Sequence, residues 1–535
     1  MASKKRSSRW RWIRRSVQLL VLALFLYLLI GNRVGATTFL PDDLFFHLNP
    51  LTGLSAMLAE KRFIAPMLLG LLTVGLTLVL GRVWCSWICP LGTLLDWTNL
   101  RRRYRNALGH LSQWRQVKYL TLMAILLGAL LGTLTLLVLD PITILFRTVT
   151  SGVLPGLNSL TTWTETRLYR YDSLQGFLNG FDRFIRGHLL PAAEPYFIPS
   201  LVLIAVFVGI LALNAVRPRF WCRYVCPLGG LLGLVSRVSL LRRTVDQEKC
   251  NSCRRCAREC PVNAIDSEKD YTSDPAECTL CLKCVENCPT RAIAVRPQPQ
   301  PAEPELEGLT RRQVLGSFGI MLAGVALLRL APLLRGTEQK RLRPPGTSED
   351  DVTKKCIRCG VCVNICPTRA IHPSGTGADY DAVWTPMLVP RLGYCDYICH
   401  RCGQVCPTGA IRPLSIEAKR KARMGVAVVN TATCLPHRGE RDCQLCYDEC
   451  RAAGYNAIEM REIRLSVGEV PPGVVSAQEM DEASRILAPF VDAAACVGCG
   501  LCEYRCHTVW KKQHHILSGS AIVVVPPSPN HALTG

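Results

Sequence analysis

Histidine is scarce in this chain, at 10 of 535 residues, and the first four long apolar runs contain none. A b-type haem held between helices needs such histidines and is therefore disfavoured. Those runs also carry almost no ionisable side chain at bilayer depth, which disfavours a proton pump within them. Aromatic residues are only 7%, and no basic stripe is interleaved with them, so the net charge of +22 does not indicate nucleic-acid binding. No G-x-G-x-x-G or Walker signature is present, and NADH is not an obvious electron donor. Charged residues are only 19% against 49% hydrophobic, with a mean hydropathy of +0.18. That balance is too apolar for an ordinary soluble protein and too charged for a pure membrane bundle. A membrane protein with soluble domains attached fits best.

Apolar runs cover residues 17–31, 63–83, 119–139, 197–216 and 314–334, and they read as transmembrane helices against a hydrocarbon core of about 30 Å. The first follows Lys4, Lys5, Arg6, Arg9, Arg11, Arg14 and Arg15 with no acid among them. A cleaved signal peptide is the alternative there, but a second run follows soon after. The positive-inside rule places the N-terminus in the cytoplasm. It also returns the second run to Arg101, Arg102, Arg103 and Arg105, and the fourth to Arg217, Arg219 and Arg223. Residues 140–196 then lie outside. The fifth run starts inside, after Arg311 and Arg312, and carries everything beyond residue 334 outside.

What the chain has in abundance is cysteine, 28 in all. Four form a repeated pair: Trp84-Cys85-Ser-Trp-Ile-Cys89-Pro90-Leu91-Gly92 and Trp221-Cys222-Arg-Tyr-Val-Cys226-Pro227-Leu228-Gly229. Each follows the second helix of a two-helix unit, so the bundle reads as a parallel duplication. Each pair is a redox dithiol, half of a shared metal site, a feature beside a quinone pocket, or a buried thiol pair packed at a helix end.

The other 24 fall into six groups of four. Group one is Cys250, Cys253, Cys256 and Cys260; group two is Cys278, Cys281, Cys284 and Cys288; group three is Cys356, Cys359, Cys362 and Cys366. All three match C-x2-C-x2-C-x3-C-P, the bacterial ferredoxin run for a [4Fe–4S] cluster. Group four is Cys395, Cys399, Cys402 and Cys406, with three residues in its first gap. Group five is Cys434, Cys443, Cys446 and Cys450, with eight. Group six is Cys496, Cys499, Cys502 and Cys506, with His507 in place of proline. A cubane needs one soft thiolate per iron. Three close cysteines hold three corners, and the fourth points to a neighbouring cluster in two-cluster ferredoxins. By that logic Cys288 completes the Cys250 set and Cys260 the Cys278 set. Structural zinc and, for the exported half, disulfides are the competing readings. Two runs that end Cys-His, at His400 and His507, have three residues between their cysteines rather than the two of a c-type haem motif. In groups one to four an Ala-Ile pair follows the proline and is expected to open a strand over the cluster.

The expected organisation is a four-helix membrane domain over 1–240 and a cytoplasmic two-cluster domain over 245–295. A Pro-rich linker follows at 296–309. Residues 310–335 hold a twin-arginine-like signal, Arg311-Arg312, and the fifth helix. A periplasmic four-cluster domain spans 336–525, and a loose tail covers 526–535. The fold class is thus an α-helical membrane bundle, four helices plus a fifth, with two α+β bacterial ferredoxin-like polycluster domains.

These motifs resemble two known families. Residues 1–295, through Trp84–Gly92, Trp221–Gly229 and groups one and two, resemble the NapH/MauN membrane ferredoxin-type proteins. Residues 310–535, through Arg311, Arg312 and groups three to six, resemble the NapG/MauM periplasmic ferredoxin-type proteins. The resemblance implies an inner-membrane protein that takes electrons from the quinone pool as quinol. It would pass them along six [4Fe–4S] clusters to a periplasmic redox enzyme or cytochrome. As an enzyme it would be the electron-transfer component of a quinol dehydrogenase. The alternatives are an electron-supplying maturation factor for a periplasmic enzyme such as methylamine dehydrogenase, and a redox regulator.

Overall fold

A computed structural model describes residues 9–34, 39–98, 113–188, 190, 200–297, 316, 319, 341–375, 382–464 and 485–527. Arg311, Arg312, the linker from 298 and nearly all of the expected fifth helix lie outside the described residues. The chain divides into two compact units. The first is Met1–Leu190, Ile198–Gly336 and Thr353–Gly360; the second is Pro191–Phe197, Thr337–Val352 and Val361–Gly535.

The first unit is helical. Its first helix, Arg9–Val34, runs 26 residues, and its Arg9–Gly31 stretch is long and apolar enough to cross a membrane. The runs at 63–83, 119–139 and 197–216 form shorter apolar helices, Ala65–Leu80, Gln116–Leu130 and Ser200–Val216. Among the described residues only the first expected span is therefore a full-length apolar helix. The shortening has local causes. Gly81, at φ +65, closes the helix that ends at Leu80. Gly132, at φ +76, turns the chain after Leu130, and a tighter 3₁₀ segment, Thr135–Leu139, continues the apolar run. Glycine suits both turns because it meets no Cβ penalty at positive φ. Leu20, Phe63, Leu71, Leu72, Leu201, Val208 and Val216 each expose more than half of their surface. That is more large apolar surface than a soluble monomer ordinarily leaves open.

A second trace of duplication sits deep in this unit. Leu48-Asn49-Pro50-Leu51-Thr52 and Leu139-Asp140-Pro141-Ile142-Thr143 share one pattern, and each opens a helix, Pro50–Glu60 and Pro141–Thr148. Proline at the first helical position costs no backbone bond, because that N–H has no intrahelical partner. The Asn49 side chain accepts from Leu51 N at 3.0 Å, and Asp140 accepts from Ile142 N at 3.1 Å and Thr143 N at 3.0 Å. The two caps meet: Asn49 Nδ2 donates to Asp140 Oδ1 at 2.7 Å, and both residues are fully buried. Asp140→Ala removes a cap and strands the Asn49 amide, so it should cost about 2 kcal/mol or more. Asp140→Asn should cost clearly less, and thermal unfolding in detergent compares the two.

After the helices, strands Leu241–Val245 and Ile293–Pro297 pair antiparallel and bracket groups one and two. The second unit repeats this plan. Strands Val426–Val429 and Ile522–Val525 bracket groups five and six, and Ile458–Arg464 pairs with Arg485–Val491 between them. Ile371–Pro373 pairs with Pro386–Leu388 between groups three and four. Ile293 and Ile371 of the Ala-Ile pairs thus open strands. Ile265 makes only an isolated bridge to Ser273, and Ala410–Ile411 forms no strand. The core of the second unit is not purely aliphatic: Ile371, Leu388, Met424, Ile458 and Val524 pack together with Cys366, Cys434, Cys446, Cys450, Cys496, Cys502 and Cys506.

Candidate metal centres

The cysteine loops share a backbone conformation that their spacing imposes. In groups one, two, three and six the residues two and four after the first cysteine have positive φ: Ser252 and Arg254, Leu280 and Leu282, Arg358 and Gly360, Gly498 and Gly500. Side chains rarely adopt this region, at a cost of order 1 kcal/mol each. Five non-glycine positions of one kind, Ser252, Arg254, Leu280, Leu282 and Arg358, therefore mark a geometry imposed by something other than local preference. Groups four and five, with their longer first gaps, do not share it among the described residues.

Three cavities collect cysteines across group boundaries. One is lined by Cys260 of group one with Cys278, Cys281 and Cys284 of group two. Another joins Cys288 to Cys250, Cys253 and Cys256. A third joins Cys506 of group six to Cys434, Cys443 and Cys446 of group five. Cys450 lies within electrostatic reach of Cys496, Cys499 and Cys502, and Cys366 within reach of Cys395, Cys399 and Cys402. Backbone amides donate to the sulfurs: Ala264 N to Cys260 at 3.3 Å, Ala457 N to Cys450 at 3.3 Å, and Ile411 N to Cys406, Ala427 N to Cys496 and Ala521 N to Cys506 at 3.4 Å. Such bonds tune the potential of a cluster held by these thiolates.

Burial pushes the Cys278 and Cys446 thiols up to about 12, with neighbouring cysteines adding to it. Thiols held this way become thiolates when a metal replaces the proton. No three His, Cys, Asp or Glu side chains among the described residues converge closely enough for a single ion. A structural zinc would need four sulfurs at about 2.3 Å from one centre; a cubane spreads its four thiolates over four irons. The residues present therefore suit the larger group.

The duplicated Cys-x3-Cys-Pro pairs take one shape twice. Trp84–Ile88 and Trp221–Val225 each form a single π-helical turn. Cys89 N donates to Trp84 O at 2.8 Å, and Cys226 N to Trp221 O at 2.9 Å. The second cysteine then leaves the helix in an extended conformation, and Pro90 or Pro227 starts the next helix. The pairs are thus not spaced along a regular α-helix; a wide turn of this kind is frequent at functional sites. The glycine that closes the first motif is required by packing, since a Cβ on Gly92 would come 2.5 Å from Cys85 O. All four cysteines are buried, at 4–8% exposure, and each thiol interacts electrostatically with the other three.

Buried ions that the cysteine pattern does not disclose surround these motifs. Arg219 donates to Cys85 O at 3.1 Å and grips Asp96 with two bonds of 2.9 and 2.8 Å. Burial works to raise the Asp96 carboxyl, but Arg219 outweighs it and holds it far below the usual range. Arg82 donates to Ala276 O at 2.7 Å and pairs with Glu277 at 3.3 Å, and Lys118 pairs with the same carboxylate. The sequence does carry a signal for the arginines: both motifs read Arg-x-Trp-Cys, with Arg82 and Arg219 three residues before the first cysteine. Asp96→Ala should cost about 3 kcal/mol, because it leaves a buried guanidinium without its carboxylate. Chemical or thermal unfolding in detergent measures this against Asp96→Asn.

The group-two loop is docked on the motifs by several bonds. Ser86 Oγ donates to Thr279 O at 2.6 Å, Trp87 Nε1 to Leu280 O at 3.1 Å and Arg14 to Cys281 O at 2.5 Å. Arg14, read from sequence only as an orientation charge, is thus also a buried docking contact.

Comparison with known proteins agrees with this chemistry. Family models described as 4Fe-4S binding domains match residues 63–107, 199–245 and 243–266, and models described as 4Fe-4S dicluster domains match residues 270–367 and 355–410. The methylamine utilization ferredoxin-type protein MauM of Methylophilus methylotrophus is 34% identical over 42% of this chain and 88% of its own length. The ferredoxin-type protein NapH of Escherichia coli is 27% identical over 48% of this chain and 76% of its own. MauN of Methylobacillus flagellatus is 27% identical over 47% and 76%. No solved structure matches the chain. With cysteine loops of this geometry and relatives of this kind, the chain belongs to the MauM family of ferredoxin-type iron–sulfur proteins, with further similarity to NapH and MauN.

Proposed function

We propose that this iron–sulfur electron-transfer protein takes electrons from membrane quinol and delivers them to a periplasmic redox enzyme or cytochrome. Six [4Fe–4S] clusters held by the 24 ferredoxin-type cysteines carry them. The observation that carries this reading is the docking of the group-two loop on the Cys-x3-Cys-Pro ends of the helices, through Ser86, Trp87 and Arg82. It gives electrons that leave the bundle a first acceptor docked against it, at the cavity of Cys260, Cys278, Cys281 and Cys284. When bound, the clusters supply one-electron chemistry. The chain's own residues hold them, donate hydrogen bonds to their sulfurs and exclude water.

The membrane arrangement is part of the same proposal. Five spans, with groups one and two in the cytoplasm and groups three to six in the periplasm, follow from the basic blocks. The helices Gln116–Leu130 and Ser200–Val216, of 15 and 17 residues, would rise about 22–26 Å, and a 3₁₀ segment, Thr135–Leu139, follows the first. Arg311 and Arg312 direct export of a domain that has already folded around its clusters.

The test uses the full chain in proteoliposomes loaded with a menaquinol analogue, with ferricytochrome c outside. Sustained cytochrome reduction that depends on both quinol and loaded clusters supports the route; none above the protein-free rate contradicts it. A second reading, electron supply for maturing a periplasmic enzyme, is favoured by the names of the MauM relatives, which tie those proteins to methylamine utilization.

A further inference from the structure

The two Cys-x3-Cys-Pro pairs form one site rather than two. Arg219, three residues before Cys222, donates to Cys85 O of the other motif at 3.1 Å, and Cys85, Cys89, Cys222 and Cys226 lie within electrostatic reach of one another, although 137 residues separate the motifs (222 − 85). The family description that matches residues 63–107 and 199–245 is a 4Fe-4S binding domain. Within those two matches the only cysteines are these four, two in each. A [4Fe–4S] cluster needs four thiolates, so neither copy suffices alone and both together suffice.

Two further observations point to an absent electron-rich group. Trp84 and Trp221, the residues beside the first cysteine of each motif, are 3% and 7% exposed. Their indole N–H groups are both buried without an acceptor. A buried donor left unmade costs about 1–3 kcal/mol, and two such donors at equivalent places in a duplicated motif share one explanation. Cluster sulfide and thiolate sulfur accept bonds of this kind. Charge agrees as well. Four thiolates on an oxidised cubane leave a net charge of about −2, which a buried site must compensate. Arg82 interacts with Cys85 and Cys226, and Arg219 with Cys222; both arginines are 1% exposed, and with Lys118 they outnumber the two carboxylates they pair with, Glu277 and Asp96.

We propose that Cys85, Cys89, Cys222 and Cys226 together hold a seventh [4Fe–4S] cluster, shared between the two repeats at the end of the helical bundle. It stands next to the group-two loop, so it is the entry point through which an electron reaches the Cys260–Cys278–Cys281–Cys284 centre. The step is a one-electron change of the cluster, with no bond made or broken. Quinol, oxidised to quinone with release of two protons, supplies two such electrons in turn. Only this role as entry point rests on the quinol reading; the site itself stands on the thiols, the indoles and the arginines.

The test is iron and acid-labile sulfide on anaerobically purified full chain, beside Cys85→Ser/Cys222→Ser. Seven cubanes give about 28 irons per chain, and the double variant should lose about four. Unchanged iron in a folded variant would overturn the proposal. If the variant does not fold, native mass spectrometry of the wild type decides. A highest loaded species with seven clusters supports the site. One with six clusters, with the four thiols free or joined as disulfides, overturns it. Quinol reduction is read separately: seven clusters that quinol cannot reduce would leave the site standing and remove quinol as its donor.

Discussion

Changing Arg311 and Arg312 together to lysine should leave the first four spans inserted and strand residues 336–535 on the cytoplasmic side. The substitution preserves the positive charge, so a flank that acts only through orientation would tolerate it. A receptor that reads the arginine pair would not. The physical need for such a receptor comes from the cargo. Groups five and six bury Cys434, Cys446, Cys450, Cys496, Cys502 and Cys506 inside the core of the second unit, so that domain folds around whatever its cysteines hold. A route for unfolded chains could not carry it in that state. Protease added to spheroplasts reads the outcome: the C-terminal domain should be digested in the wild type and protected in the Lys-Lys variant. Equal digestion of both would refute the export mechanism, and protection of both would overturn the five-span topology.

The second large effect concerns ligand exchange. Cys506 follows the group-six triplet in sequence but lines the cavity of Cys434, Cys443 and Cys446. Cys506→Ser should therefore empty the group-five centre and spare its own triplet. Each single variant, Cys434→Ser or Cys506→Ser, should lose about four irons. The double variant should lose no more, because both residues serve one centre and their effects cannot add. Cys496→Ser with Cys506→Ser should lose about eight, since it touches two centres. Additive losses for Cys434 and Cys506 would mean that each group keeps its own fourth cysteine.

Much of this site is legible because cysteine spacing is a local signal. A C-x2-C-x2-C run states its own loop, and the repeated positive φ at Ser252, Leu280, Arg358 and Gly498 is the backbone's answer to that spacing. Group five is the harder case: eight residues separate Cys434 from Cys443, yet both line one cavity. Length alone does not make a helix continuous, and the runs at 63–83 and 119–139 are interrupted at Gly81 and Gly132. Long-range polar pairs were the least legible. Asn49 and Asp140 are 91 residues apart, and Arg82 and Glu277 are 195 apart. Nothing in either local sequence names its partner. What the sequence does offer is repetition, in Leu-Asn/Asp-Pro-x-Thr and in Arg-x-Trp-Cys, whose equivalent positions come together in the fold.

Electrons passing from quinol into these clusters are the central step of the proposed route. The direct measurement is anaerobic addition of a menaquinol analogue to the purified, oxidised full chain, followed by low-temperature EPR. Signals of reduced [4Fe–4S] clusters should appear on quinol addition and vanish on re-oxidation. A spectrum that stays silent with quinol, while a strong artificial reductant brings up the full set of signals, would contradict that route.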